Sequence, residues 1–124
     1  MDRIFAMDRI YGGGRWFDEG YCEGKRAMLS LTTCGGPEPF SEGGITGEIN
    51  THFNSINYGI FRFVGFDVLP HFVAWAPARI GEARQKDNIE QYVERVLAIP
   101  ETEPIACRPL SDYDPRTLRL KTDE

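Results

Sequence analysis

Residues 26–76 carry an apolar stretch, a loop rich in glycine and proline, an amphipathic stretch and a second apolar stretch. That succession constrains the fold more than any other feature of the chain. Over 26–33, RAMLSLTT, Ala27, Leu29 and Leu31 alternate with Met28, Ser30 and Thr32. Both faces are therefore apolar or small, as in an interior strand of a covered parallel sheet. The following CGGPEPFSEGG, residues 34–44, holds four Gly and two Pro and cannot continue a regular element. Over 45–64, Ile45, Ile49, Phe53, Ile56, Ile60, Phe63 and Val64 recur at intervals of three and four, which predicts a helix with one apolar stripe and Gly65 as its C-cap. FDVLPHFVAWA, residues 66–76, reads as the second strand, weakened at its centre because Pro70 cannot donate to a ladder. A strand–helix–strand run implies a right-handed parallel crossover.

The flanks are less regular. Residues 2–11 read as a short helix that buries Ile4, Phe5 and Ile10 and is stopped by Gly12, Gly13 and Gly14. Residues 15–24 read as a loop anchored by Trp16, Phe17 and Tyr21. A charged helix is expected over 79–98, with Ile89, Tyr92, Val93, Val96 and Leu97 turned inward and Pro100 ending it. The segment 101–124, with Pro104, Pro109 and Pro115, is expected to be an extended, partly mobile tail. The fold class is thus α/β. Two strands are few, however, against the five or six usual in a doubly wound sheet. The pattern reads as the second half of such a sheet over 1–100, followed by the tail.

A hydrophobic fraction of 41% can form a core. The net charge of -5 argues against nucleic acid as a partner, since phosphates call for a basic surface. No apolar run reaches the roughly 20 residues that span a bilayer, so no membrane role is expected. Cys22, Cys34 and Cys107 form no CxxC pair, which suggests a reducing, cytoplasmic setting. His52 and His71 stand on different predicted elements, and no metal site is expected from them.

Chemistry concentrates at the end of the first strand, in Thr32-Thr33-Cys34-Gly35-Gly36. Ligands of open α/β sheets bind at that edge. Glycines there let backbone N–H groups approach a flat molecule. The loop has no Lys or Arg, only Glu38 and Glu42, so it suits a neutral ring better than a phosphate. An ordinary glycine-rich connection is the competing reading. Cys34 has no base placed by pattern to activate it and reads as a bystander thiol. Tyr11, Trp16 and Phe17 could wall a planar ligand or serve as core anchors. His52 lies off the apolar stripe and reads as solvated.

Several segments together resemble the flavodoxin-like NAD(P)H dehydrogenase (quinone) family: Asp2-Arg3-Ile4-Phe5-Ala6, Tyr11-Gly12, Gly24 to Thr33 with the loop after it, Gly59 to Leu69, and Pro109-Leu110-Ser111-Asp112-Tyr113-Asp114. The resemblance implies a partial flavodoxin-like doubly wound parallel sheet. It also implies a cytoplasmic homodimer with FAD, or alternatively FMN, in which NAD(P)H reduces the flavin and a quinone-like acceptor then takes the hydride. Thr32, Thr33, Cys34 and Gly35 fall on the loop along the isoalloxazine, Asp2 on an acidic position near the cofactor, and Arg84 on an arginine at the adenosine end. Tyr11 and Phe63 match positions that wall the nicotinamide and quinone pocket across the dimer. Cys34 replaces the first loop glycine of the family. Phe40 and Thr46 stand at the catalytic positions of a Tyr and a His that stabilise reduced flavin; Phe40 cannot hydrogen-bond and Thr46 donates weakly. The family's first strand and diphosphate-binding turn have no counterpart in this sequence. The alternative is a non-catalytic interaction module that keeps a dimer surface on 45–64 and pairs with a full-length relative.

Overall fold

In a computed structural model that describes residues 3–121, strand β1 (Arg26–Thr32) pairs in parallel with β2 (Asp67–Ala74). Helix α1 (Ile49–Ile56) lies between them in the chain and α2 (Gly81–Leu97) follows β2. The register runs from Arg26↔Asp67 to Thr32↔Ala74 and slips between Met28 and Ser30. Met28 pairs with Leu69 and Ser30 with Phe72, so β2 carries one residue more than β1 across that interval. Pro70 falls in this bulge, where its missing N–H costs no ladder bond. Its free carbonyl accepts a 2.6 Å hydrogen bond from Arg95 of α2.

The helices cover opposite faces, as the alternation of β2 requires. Phe53 of α1 packs edge-on against His71, with centroids 4.8 Å apart, and Tyr92 of α2 lies 5.4 Å from Phe72. Leu69 and Val64, each 1% exposed, form the centre of the core with Val68 and Phe53.

Burial pushes the His71 imidazole below the ordinary histidine range; the Arg95 charge adds to this and Glu48 opposes it. The folded value then lies below the unfolded one, so the native state binds a proton less readily. The His71 contribution is complete above the unfolded value near 6.5 and declines as pH falls below it. Urea midpoints measured at about pH 7.5 and about pH 5.5 should reveal that loss, and His71→Gln should flatten it. Equal pH dependence in both proteins would contradict the assignment.

Four expectations are corrected. The segment expected as a helix over 2–11 is a series of turns, with isolated bridges Met7↔Tyr11 and Gly12↔Arg15. Asp8 sits at φ 62°, and this left-handed residue interrupts any helix before the glycine run does. The helix expected from 45 starts at Ile49, because Gly47 at φ 77° turns the chain and the Glu48 side chain caps the Asn50 N–H. Ile45 is consequently 94% exposed and off the apolar stripe. Beyond Ile56 the helical path continues as a π turn (Asn57–Phe61) and a 3-10 turn (Arg62–Val64), which Gly65 ends at φ 105°, as its C-cap assignment requires. Finally, the stripe of α2 does not face a core: Ile89, Val93 and Leu97 are 64%, 47% and 75% exposed. A two-stranded sheet is narrower than that stripe, and an open groove of about 610 Å³ separates Ile89 and Tyr92 from Ser30 and Thr32.

The tail returns to the sheet. Ile105 donates to Val68 O at 2.8 Å on the edge of β2 away from β1. Arg26 donates to the carbonyls of Ile99 and Thr102 at 2.7 and 2.6 Å. The Leu110 N–H is accepted by the Asp18 carboxylate at 2.9 Å, which ties the tail to the aromatic loop. The outer edge of β1 has no partner strand among the described residues.

Candidate functional site

The chain leaves β1 at its C-terminal rim and makes a turn held by one side chain. Thr33 donates its hydroxyl to Gly35 O at 2.8 Å and accepts from the Ala76 N–H at 3.4 Å. Its own N–H reaches Ala74 O at 3.2 Å, so the turn is fixed to the end of β2. Ala76 is buried at φ 46°, a strained conformation for a residue with a Cβ. Its carbonyl accepts from the Arg79 N–H at 2.8 Å, closing the second loop of the rim.

Within that frame, the N–H groups of Cys34, Gly35 and Gly36 have no acceptor among the described residues. Cys34 is exposed while Gly35 and Gly36 are half-buried, so the turn offers these donors to water or to a partner. A Cβ placed on Gly35 would meet no atom within 4 Å. The space beside Gly35 is therefore open, whereas at Gly36 the Glu38 carboxylate lies 2.6 Å from the place a Cβ would take. Arg79 extends over the rim and donates to Cys34 Sγ at 3.6 Å, which orients that side chain.

Two aromatic groups stand at opposite ends of the sheet, the first at the N-terminal ends of the strands and the second at the C-terminal rim. Phe63 is surrounded by Phe17, Tyr11 and Trp16 at centroid distances of 5.7, 6.0 and 6.4 Å. Phe40 lies between Trp75 and His52 at 5.6 and 6.2 Å. The Thr46 hydroxyl is donated to Pro39 O, and its carbonyl is met by His52 Nε2 at 2.6 Å. The structure thus brings Thr33, Cys34 and Gly35 together in one turn, Phe40 with Thr46, and Tyr11 with Phe63. Thr32 is exposed and lines the groove beneath α2. Arg84 is exposed on α2, and no hydrogen bond joins it to the turn among the described residues. Asp2 lies outside the described residues.

Two of these residues, Arg79 and Trp75, carry no signal in the sequence for a place at the site. Arg79 reaches Cys34 only because parallel pairing brings the two strand ends together. Trp75 carries no motif beyond its place at the end of β2. His52 was legible as exposed, but its approach to Phe40 and Thr46 follows from the loop folding back on α1.

Comparison with known proteins places the geometry in context. Residues 1–99 match a family model described as flavodoxin-like fold. The chain is 30% identical to human ribosyldihydronicotinamide dehydrogenase [quinone], covering 86% of this chain and 46% of that protein. It is 36% identical to a ribosyldihydronicotinamide dehydrogenase-like protein of Penicillium crustosum, covering 97% and 48%. Among solved structures, a Klebsiella pneumoniae protein assigned as a quinone reductase superposes with a TM-score of 0.82 at 30% identity, covering 96% of this chain and 46% of that one. The chain spans about half the length of the curated relatives it matches.

Proposed function

The chain belongs to the flavodoxin-like family that includes the NAD(P)H:quinone dehydrogenases, and from that premise we propose that its β1 rim holds a flavin ring in a quinone-type oxidoreductase. The observation that carries this reading is the N–H series of Cys34, Gly35 and Gly36, unpaired among the described residues, with open space beside Gly35. A flat heterocycle with carbonyl and ring-nitrogen acceptors along one edge matches such a series, and the Arg79 guanidinium beside Cys34 adds positive charge at the same rim. Thr32, Thr33, Cys34 and Gly35 would hold the ring, as FAD or FMN. Bound flavin would supply two-electron hydride chemistry between NAD(P)H and a quinone-like acceptor.

The other residues take roles away from that turn, Tyr11 and Phe63 across a homodimer. Tyr11 and Phe63, in tilted contact, offer apolar faces suited to a nicotinamide or a quinone. Both protomers of a homodimer would line each pocket, in a cytoplasmic setting. Arg84 would serve the adenosine end of FAD, and Asp2 would sit near the cofactor. Phe40 offers no hydrogen bond, and the Thr46 hydroxyl is already donated to Pro39. Charge on a reduced ring would then rest on backbone donors, with no proton held ready on these two side chains. The reading predicts slow turnover rather than weak cofactor binding.

Loading the purified chain with FAD or FMN and following NADPH and NADH oxidation with a soluble naphthoquinone tests the activity. Acceptor-dependent oxidation that tracks bound flavin supports the reading. Flavin binding without oxidation would favour the second one, a non-catalytic interaction module that pairs with a full-length relative. The substitutions at Phe40 and Thr46 favour that module.

A further inference from the structure

A second, more enclosed cavity of about 220 Å³ lies where the returning tail crosses the π turn. Its charged lining is cationic: among the described residues Arg62 and Arg108 both face it, and no carboxylate does. In a chain of net charge -5 such a pair is out of keeping with the general surface. Arg62 is half-buried and Arg108 is exposed, and an anion placed between the two guanidiniums gains charge-assisted hydrogen bonds.

The backbone around the cavity is unusual. Tyr58 and Arg62 stand four residues apart and face it together, projecting from the wide π turn and the turn that follows it. Phe17 at φ 49° and Leu118 at φ 54° are strained, and both line the cavity. Strain of this kind persists where surrounding structure enforces it, often at binding sites. Burial, then the Cys107 sulfur beside it, pushes the Tyr58 phenol up, so that its hydroxyl remains a donor.

We propose that this cavity binds a small aromatic carboxylate, with the carboxylate between Arg62 and Arg108 and the ring against Phe17 and Leu118. The walls are largely apolar, which suits a ring and leaves a bare phosphate poorly packed. The volume lies below the roughly 300 Å³ at which sites for drug-sized ligands begin, so the ligand is a single-ring acid. None of its lining residues belongs to the turn after β1, so the site does not rest on the flavin reading.

The test is a titration of the full chain with 4-fluorobenzoate, followed by fluorine NMR. Saturable binding is expected, weakened at least about tenfold in Arg62→Gln and in Arg108→Gln, with the fold checked by circular dichroism. The neutral 4-fluorobenzamide should bind wild type at least about tenfold more weakly, a comparison that needs no variant. Gly35→Val should leave benzoate binding unchanged, which separates failure here from failure of the flavin site. No saturable shift, equal affinity for the benzamide, or displacement by an equal concentration of inorganic phosphate would each overturn the proposal.

Discussion

Replacing Leu69 with alanine is expected to lower stability by about 2–5 kcal/mol, whereas the same change at Leu97 should cost no more than about 0.5 kcal/mol. Both are leucines in apolar patterns, and the sequence treats both as core. Leu69 is 1% exposed on β2, opposite Met28 and among Val64 and Val68, so truncation leaves a cavity with well-packed walls. Leu97 is 75% exposed on the last turn of α2, and truncation there only removes atoms already in water. Urea denaturation of the two variants measures the difference. Similar losses would mean that the α2 face is covered in the folded chain.

Gly20→Ala is expected to be comparably damaging, at about 3 kcal/mol, although alanine is the smallest change available. The backbone angle at Gly20 (φ -68°) is ordinary, so the cost does not come from conformational preference. A Cβ there would stand 2.4 Å from both the C and O atoms of Val64 and 2.6 Å from Gly65 N. These are backbone atoms of a tight turn and cannot rotate aside. The turn and the loop that carries Trp16 and Phe17 would have to separate, breaking the 2.9 Å bond from Cys22 N to Val64 O. The Phe63 cluster should loosen with them. The expected readout is a drop in thermal midpoint together with a red-shifted tryptophan emission; an unchanged midpoint would contradict the close packing.

The β1–loop–α1–β2 succession was legible because each signal was local. Alternation marked the strands, a run of glycine and proline marked the loop, and Gly65 marked the end of the helix. The family resemblance of the sequence agrees with the matched family model and with the superposed structure. The turns over 3–15 were not legible, since Ile4, Phe5 and Ile10 offered a helix apolar residues to bury while the left-handed Asp8 leaves no sequence mark. The face of α2 misled for a different reason. Periodicity states which residues a helix could bury, not whether a surface exists to bury them. At the site, the Thr33–Gly35 turn could be anticipated, but the approach of Arg79 to Cys34 and the donation of the Thr46 hydroxyl to Pro39 are long-range or loop-closure contacts without a sequence period.

The most direct measurement is the quenching of FAD and FMN fluorescence on titration with the wild-type chain and with Gly35→Val. Because a side chain at residue 35 meets only open space, the variant should fold like wild type while filling the place of the ring. Saturable quenching by wild type, weakened at least about tenfold in the variant, is the predicted result. Quenching of equal strength by both proteins, or by neither, would show that no flavin ring rests on the turn after β1.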